Sequence, residues 1–154
     1  MNKKGADKSM KAVIQRVLNA SVSVGGNVTG EIKNGYMILL GVGTKDTEEQ
    51  CRALAAKISK LRIFSDENGK TNLSIRDVGG RILVISQFTL FADCSHGNRP
   101  SFFDAAPPEL ANDLYERFCS ELEALGLPPE KGVFGADMKI EMTADGPFTV
   151  CLEV

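Results

Sequence analysis

The sequence is short of the residues on which most metal and acid–base sites are built. It has one histidine, His96, and its four cysteines, Cys51, Cys94, Cys119 and Cys151, are spaced 43, 25 and 32 residues apart. No pair has the close spacing of a zinc knuckle, and one histidine cannot complete a Cys/His set, so no metal site is expected. Cys51 and Cys119 fall in helical patterns and Cys151 in a strand pattern, positions where cysteine usually serves as a small buried hydrophobe. Long apolar runs are missing too. The longest, such as Tyr36 to Leu40, are strand-length and far from the ~18 residues of a membrane span. The first nine residues lack the apolar middle of a secretory signal. Residues 1–9 read as a loose extension ahead of a domain spanning residues 10–154, and the protein is expected to be cytoplasmic.

Nor is there a surplus of positive charge. The net charge of −2 argues against a broad basic surface of the kind that grips duplex DNA. The charge is unevenly placed, however. Residues 1–62 carry 11 Lys/Arg against 5 Asp/Glu, and residues 63–154 carry 7 against 15, so one part of the surface can meet a few phosphates. The plainer account is that two helices differ in the charge of their solvent faces. No internal repeat and no low-complexity linker is present.

What is there is a single domain's worth of chain. Its 154 residues are enough to bury a core without disulfide or metal staples. Val13 to Val17, Ala20 to Val24 and Val28 to Ile32 read as strands, with Gly25-Gly26-Asn27 as a hairpin turn. After the turn signal Asn34-Gly35, the run Tyr36 to Val42 reads as a strand buried on both faces. Asp46 to Glu49 opens a helix with acid in its first turn, and Cys51, Leu54, Ala55, Ile58 and Leu61 form its apolar stripe. Short extended pieces follow at Arg62 to Phe64 and Leu73 to Val78. Ile82 to Ile85 is the best central-strand candidate. A second helix begins at Pro107-Pro108-Glu109, buries Leu110, Leu114, Phe118, Leu122 and Leu125, and stops at Gly126 and Pro128-Pro129. Extended segments around Met138 to Met142 and Phe148 to Leu152 flank Asp145-Gly146-Pro147. The pattern is that of a layered α/β or α+β domain.

The chemistry concentrates where the central strand runs into Ser86-Gln87-Phe88-Thr89-Leu90. A buried strand has no packing need for Ser, Gln and Thr together, and strand ends often carry ligand sites. In a regular strand Gln87 and Thr89 would share one face, opposite Ser86 and Phe88. An amide and a hydroxyl there can orient an ester carbonyl or a water; a polar strand end at an exposed edge is the plainer reading. Gly146-Pro147 is by default a turn between two strands, and glycine before proline leaves a cis peptide open. His96, beside Ser95, offers a general base but lacks triad spacing, and reads more simply as an exposed loop residue.

Taken in order, several segments resemble the D-aminoacyl-tRNA deacylases, formerly the D-tyrosyl-tRNA deacylases. The resemblance covers Met10 to Val154. Ile14-Gln15-Arg16-Val17 is similar to the family's opening strand and Thr29-Gly30-Glu31-Ile32 to its hairpin. Arg62 to Asp66, Gly69-Lys70 and Asn72-Leu73-Ser74 match a further block. Ser86-Gln87-Phe88-Thr89-Leu90 matches the first signature in full, and Arg99-Pro100-Ser101-Phe102 and Ala136-Asp137-Met138 match others. The second signature, Asn-x-Gly-Pro-Val-Thr, stands here as Ala144-Asp145-Gly146-Pro147-Phe148-Thr149, with Ala144 and Phe148 as departures.

The resemblance implies a fold of mixed, barrel-like sheets with two main helices. It also implies a cofactor-free hydrolase acting on the acceptor end of D-aminoacyl-tRNA, working as a homodimer. Gly146 and Pro147, as a cis pair, would reach into the partner's site and exclude L-aminoacyl groups, which is selection by rejection rather than attraction. Ser86, Gln87, Phe88 and Thr89 would surround the ester and the terminal adenosine. Thr89 is either a nucleophile, for which no proton acceptor is evident, or a positioning residue while the ribose 2′-hydroxyl helps activate the water. Arg16 is expected to brace the partner's Gly-Pro turn, or to form a plain surface ion pair. Phosphate contacts would come from the Lys and Arg of residues 33–62. Two other functions stay open: a non-catalytic RNA-end binding protein, and a threonine-dependent hydrolase of free D-amino-acid esters.

Overall fold

The computed structural model describes residues 9–154, so all but the last residue of the expected N-terminal extension lies outside the described residues. The described residues form a six-stranded mixed sheet and a two-stranded one, with two helices. The first strand, β1 (Lys11–Val24), is a single long strand. Two separate strands, Val13 to Val17 and Ala20 to Val24, are expected there; irregularities opposite Arg16 and at Leu18 are absorbed without ending the strand. The second strand, β2 (Asn27–Ile32), returns along the second half of β1, and β3 (Gly35–Gly41) pairs antiparallel with the first half.

The run in β3 is buried on both faces, as its unbroken apolar character requires. Tyr36, Ile38 and Leu40 join the larger core under the helices, whereas Met37 packs on the opposite face with Val17, Ala20, Val22, Ile32, Leu83 and Ile85. Helix α1 (Glu48–Lys60) starts at the capping residue Thr47, whose N–H donates to Gln50 Oε1 at 2.7 Å. Its stripe of Cys51, Leu54, Ala55 and Ile58 is buried. Strands β4 (Phe64–Ser65) and β5 (Thr71–Leu73) form a small hairpin. Residues 75–79 turn rather than extend, because Gly80 N closes back onto Ile75 O at 2.9 Å.

Strand β6 (Arg81–Ser86) pairs parallel with β3, confirming it as a central strand. Helix α2 (Pro108–Ala124) opens on Pro108, where a missing N–H costs nothing, and lies beside α1. Two features depart from the residue pattern. A two-residue strand, β7 (Glu130–Lys131), adds parallel to β6. The last strand, β8 (Lys139–Glu153), is one element of 15 residues where two segments with a turn between them are expected. It pairs with β1 from Lys11↔Glu153 to Ser23↔Lys139 and carries Gly146-Pro147 in its middle.

The cysteines divide by environment. Cys51 and Cys119 are buried, and burial pushes their thiols up to about 11 and about 12. Cys151 is exposed rather than buried, because it lies on the outward face of β8. Among the described residues no helix is long and apolar enough to cross a membrane.

Candidate active site

The polar segment after β6 leaves strand geometry at once. Gln87 N donates to Leu40 O at 2.8 Å, extending the parallel pairing by one residue, and Phe88–Phe91 then form a 3-10 turn. The turn lies across the end of β3, and Gly41 makes that approach possible. A Cβ at Gly41 would sit 3.0 Å from Leu90 Cβ and 3.2 Å from the Phe91 ring. Strand alternation therefore fails to describe residues 87–90. Gln87 and Thr89 nevertheless meet, because the turn swings the Thr89 hydroxyl under the Gln87 side chain, whose Nε2 donates to Thr89 Oγ1.

Beside this turn is a cavity of about 460 Å³. Ser86, Gln87 and Phe88 form one wall, and Val42 the floor beside them. Phe102, Ala105 and Ala106 form a second wall, Pro108 and Ala111 of α2 a third, and Phe134, Gly135, Ala136 and Met138 close it. The second wall is pinned by backbone bonds, Ala106 N to Val42 O at 2.9 Å and the reciprocal pair between Asp93 and Ser101 at 2.7 and 2.9 Å. The Phe88 ring meets Phe102 edge-on at 4.9 Å, joining first wall to second. The small side chains leave room and the aromatic ones supply flat faces, a combination suited to a planar ligand. Thr89 is exposed and lies outside the lining. The first N–H groups of the 3-10 turn, at Phe88 and Thr89, have no acceptor within it.

The second group of expected site residues lies elsewhere. Gly146-Pro147 is a cis peptide, exposed on β8. Gln15↔Thr149 and Val17↔Ala144 are successive register pairs, so residues 145–148 bulge out opposite Arg16 alone. Arg16 is buried against this bulge. Its Nε donates to Asp145 O and contacts Asp145 Oδ2, both at 3.2 Å, and its guanidinium carbon lies 4.8 Å from the Phe148 ring centroid. Nη1 donates to Ile63 O at 2.6 Å. These contacts satisfy a charge that would be costly to bury alone. Within this chain Arg16 thus holds its own Gly-Pro segment, because β1 and β8 are adjacent strands. Phe148 supplies the ring that the guanidinium covers. Ala144 makes no side-chain hydrogen bond by its nature, and the anchoring of the bulge passes to Arg16 and Gln15.

Counting across the sheet separates the two groups. Arg16 aligns with Tyr36 and Tyr36 with Ile82, four residues before Ser86. Four residues along β6 and three strand spacings from β8 put the bulge on the order of 20 Å from Ser86 within one chain. The structure therefore brings Ser86, Gln87, Phe88 and Thr89 together, and Arg16, Gly146 and Pro147 together, but not the two sets. His96 lies exposed in the loop before Ser101, away from the cavity lining. The walls from Phe102 to Ala111 and from Phe134 to Met138 are cavity positions that spacing alone does not reveal. Their signal was present in the family-like blocks Arg99 to Phe102 and Ala136 to Met138.

Comparison with known proteins agrees over nearly the whole chain. A D-aminoacyl-tRNA deacylase of Deinococcus radiodurans is 55% identical over 145 residues, covering 94% of this chain and 100% of that protein. One of Lacticaseibacillus casei is 54% identical over 144 residues, covering 94% and 97%. A solved structure described as c-Myc DNA Unwinding Element Binding Protein superposes with a TM-score of 0.86 at 40% identity, covering 94% of this chain and 98% of that one. A probable eukaryotic D-amino acid tRNA deacylase shares the fold, with a TM-score of 0.82 at 16% identity over 94% of this chain and 99% of that one. Residues 13–153 match the family described as D-Tyr-tRNA(Tyr) deacylase, and this chain belongs to that family.

Proposed function

We propose that the protein hydrolyses the ester bond of D-aminoacyl-tRNA, releasing the free D-amino acid and intact tRNA. The observation that carries this reading is the polar set Ser86, Gln87 and Thr89 beside an aromatic-walled cavity, in a chain more than half identical to D-aminoacyl-tRNA deacylases end to end. The cavity takes the terminal adenosine, with its base against Phe88 and Phe102. The ester then lies at the end of β6, where the main-chain N–H groups of Phe88 and Thr89 are placed to stabilise an oxyanion. Thr89 positions the substrate. Its Oγ1 already accepts from Gln87, and no basic side chain bonds it among the described residues, so nothing prepares it as a nucleophile. The ribose 2′-hydroxyl then assists the attacking water.

Chiral selection falls to Gly146 and Pro147. Their main-chain oxygens receive the α-amino group, and the bulge occupies the space an L side chain would need. Glycine has no side chain to exclude, so glycyl-tRNA mischarged on alanine tRNA is also a substrate. The separation on the order of 20 Å within one chain requires that the gate come from a second copy. The homodimer this needs is supported by the outward side of β8, which pairs with β1 alone and leaves Ile140 and Met142 partly exposed near Leu18.

The test is the deacylation of D-tyrosyl-, L-tyrosyl- and glycyl-tRNA by the purified protein. Loss of the D and glycyl esters with the L ester spared supports the reading. Binding of charged tRNA without hydrolysis would make the protein an RNA-end binding module. Equal cleavage of free D-tyrosyl ester and charged tRNA would remove the ribose-assisted mechanism.

A further inference from the structure

We propose that Gln15 and Thr149 form a positioning pair that sets how strictly the Gly146-Pro147 bulge rejects L-aminoacyl groups. This rests on the reading of the bulge as a chiral gate. Ladder hydrogen bonds cannot shape the bulge, since four residues of β8 face one residue of β1. Side chains must do so, and the contacts divide between its two limbs. Arg16 holds the first limb through Asp145 O and the Asp145 carboxylate. The second limb is held from Gln15, whose Nε2 donates to Phe148 O at 3.4 Å.

The orientation of that amide is itself fixed. Thr149 Oγ1 donates to Gln15 Oε1 at 2.7 Å, so the Gln15 oxygen is committed to Thr149 and its NH₂ is turned toward Phe148 O. Without the Thr149 hydroxyl the amide is free to flip and present oxygen to oxygen. The pair thus acts as one latch, and both carbonyls flanking Gly146-Pro147 are tied by side chains from neighbouring positions on β1. A gate that works by exclusion depends on not moving. Displacements near 1 Å change rates by about a hundredfold in positioned sites. A released second limb would open space for an L side chain while leaving the ester-binding residues on β6 untouched.

The distinguishing experiment measures kcat/KM for D- and L-tyrosyl-tRNA in three variants. Thr149→Val keeps the β-branched shape and removes the hydroxyl. Thr149→Ser keeps the hydroxyl. Gln15→Glu keeps an acceptor for Thr149 but loses the donor to Phe148 O. The expected result is a fall of about tenfold in the D/L ratio for Thr149→Val and Gln15→Glu, through faster L hydrolysis at a nearly unchanged D rate. Thr149→Ser should retain the wild-type ratio, and the Gln15→Glu/Thr149→Val double variant should be no worse than either single one. A wild-type ratio in both disruptive variants, or an equal loss of D and L activity, would overturn the proposal. Should Thr149→Val fail to fold, Gln15→Glu carries the same comparison. If the wild-type protein cleaves the D ester without preferring it over L, the chiral gate itself is wrong and the latch falls with it.

Discussion

Gln87 donates its side-chain amide to the Thr89 hydroxyl across a single intervening residue, making the two polar groups of the site one hydrogen-bonded unit. A hydroxyl held this way can orient a ligand but has no partner to take its proton. Thr89→Ala should therefore lower the single-turnover rate on D-tyrosyl-tRNA by less than about a hundredfold, whereas deleting a nucleophile typically costs 10⁴-fold or more. Rapid-quench deacylation assays decide between them, and a covalent aminoacyl-enzyme trapped at Thr89 would reverse the assignment.

Several of the residues lining the cavity are small, and Ala136 is one of them. Ala136→Phe fills part of the cavity in which the terminal nucleotide is proposed to sit. KM for charged tRNA should rise about tenfold while kcat stays within a few-fold, because the lost interaction is shared by ground and transition states. A fall confined to kcat would place the adenosine elsewhere.

Lys57 and Lys60 are exposed in the last turn of α1, whose following backbone carbonyl at Ile63 is tied to the Gly-Pro bulge by Arg16. An acceptor end touched at few phosphates should give a shallow salt dependence. The slope of log K against log salt is expected at about −0.7 for each phosphate neutralised. Replacing both lysines by glutamate should flatten that slope and weaken binding. Unchanged affinity in a fluorescence titration would exclude this end of α1 from the RNA path.

Asp46 is buried and accepts the backbone N–H groups of Met10 at 2.8 Å and Gly43 at 2.6 Å. Asp46→Ala strands both donors, and urea denaturation should show a loss of about 2–4 kcal/mol. Burial, the largest influence, raises the Asp46 pKa above its ordinary 3.8. Between that value and the raised one, the folded state holds a proton that the unfolded state has lost. The stability advantage of the wild type over Asp46→Ala should accordingly shrink as pH rises through this window. An advantage that grows over the same range would mean the carboxylate is better stabilised folded than unfolded.

Much of the fold is legible from short-range pattern. The Tyr36 to Val42 run announces a strand buried on both faces because every residue in it must find apolar neighbours. Asp46 to Glu49 mark the start of α1, and Pro108 that of α2, because the unsatisfied N–H groups at a helix start favour nearby acid and tolerate a residue without an N–H. The Ser86 to Leu90 segment stands out by carrying polarity that packing does not need. Its family-like blocks point to both halves of the proposed site, including the walls at Phe102 and Met138.

The remainder required the tertiary structure. Gly146-Pro147 reads locally as a turn, and only the pairing of β8 with β1 on both sides makes it a bulge within one strand. The path of residues 87–90 depends on Gly41, which lies more than forty positions away and admits the 3-10 turn. Arg16 becomes an internal brace because β1 and β8 are neighbours, a relationship between the two ends of the chain. Residue pattern marked most of the strands, both helices and the polar segment at the end of β6. Long-range hydrogen bonding decided where those segments meet, since pairing partners and cavity walls are set by contacts that no local periodicity encodes.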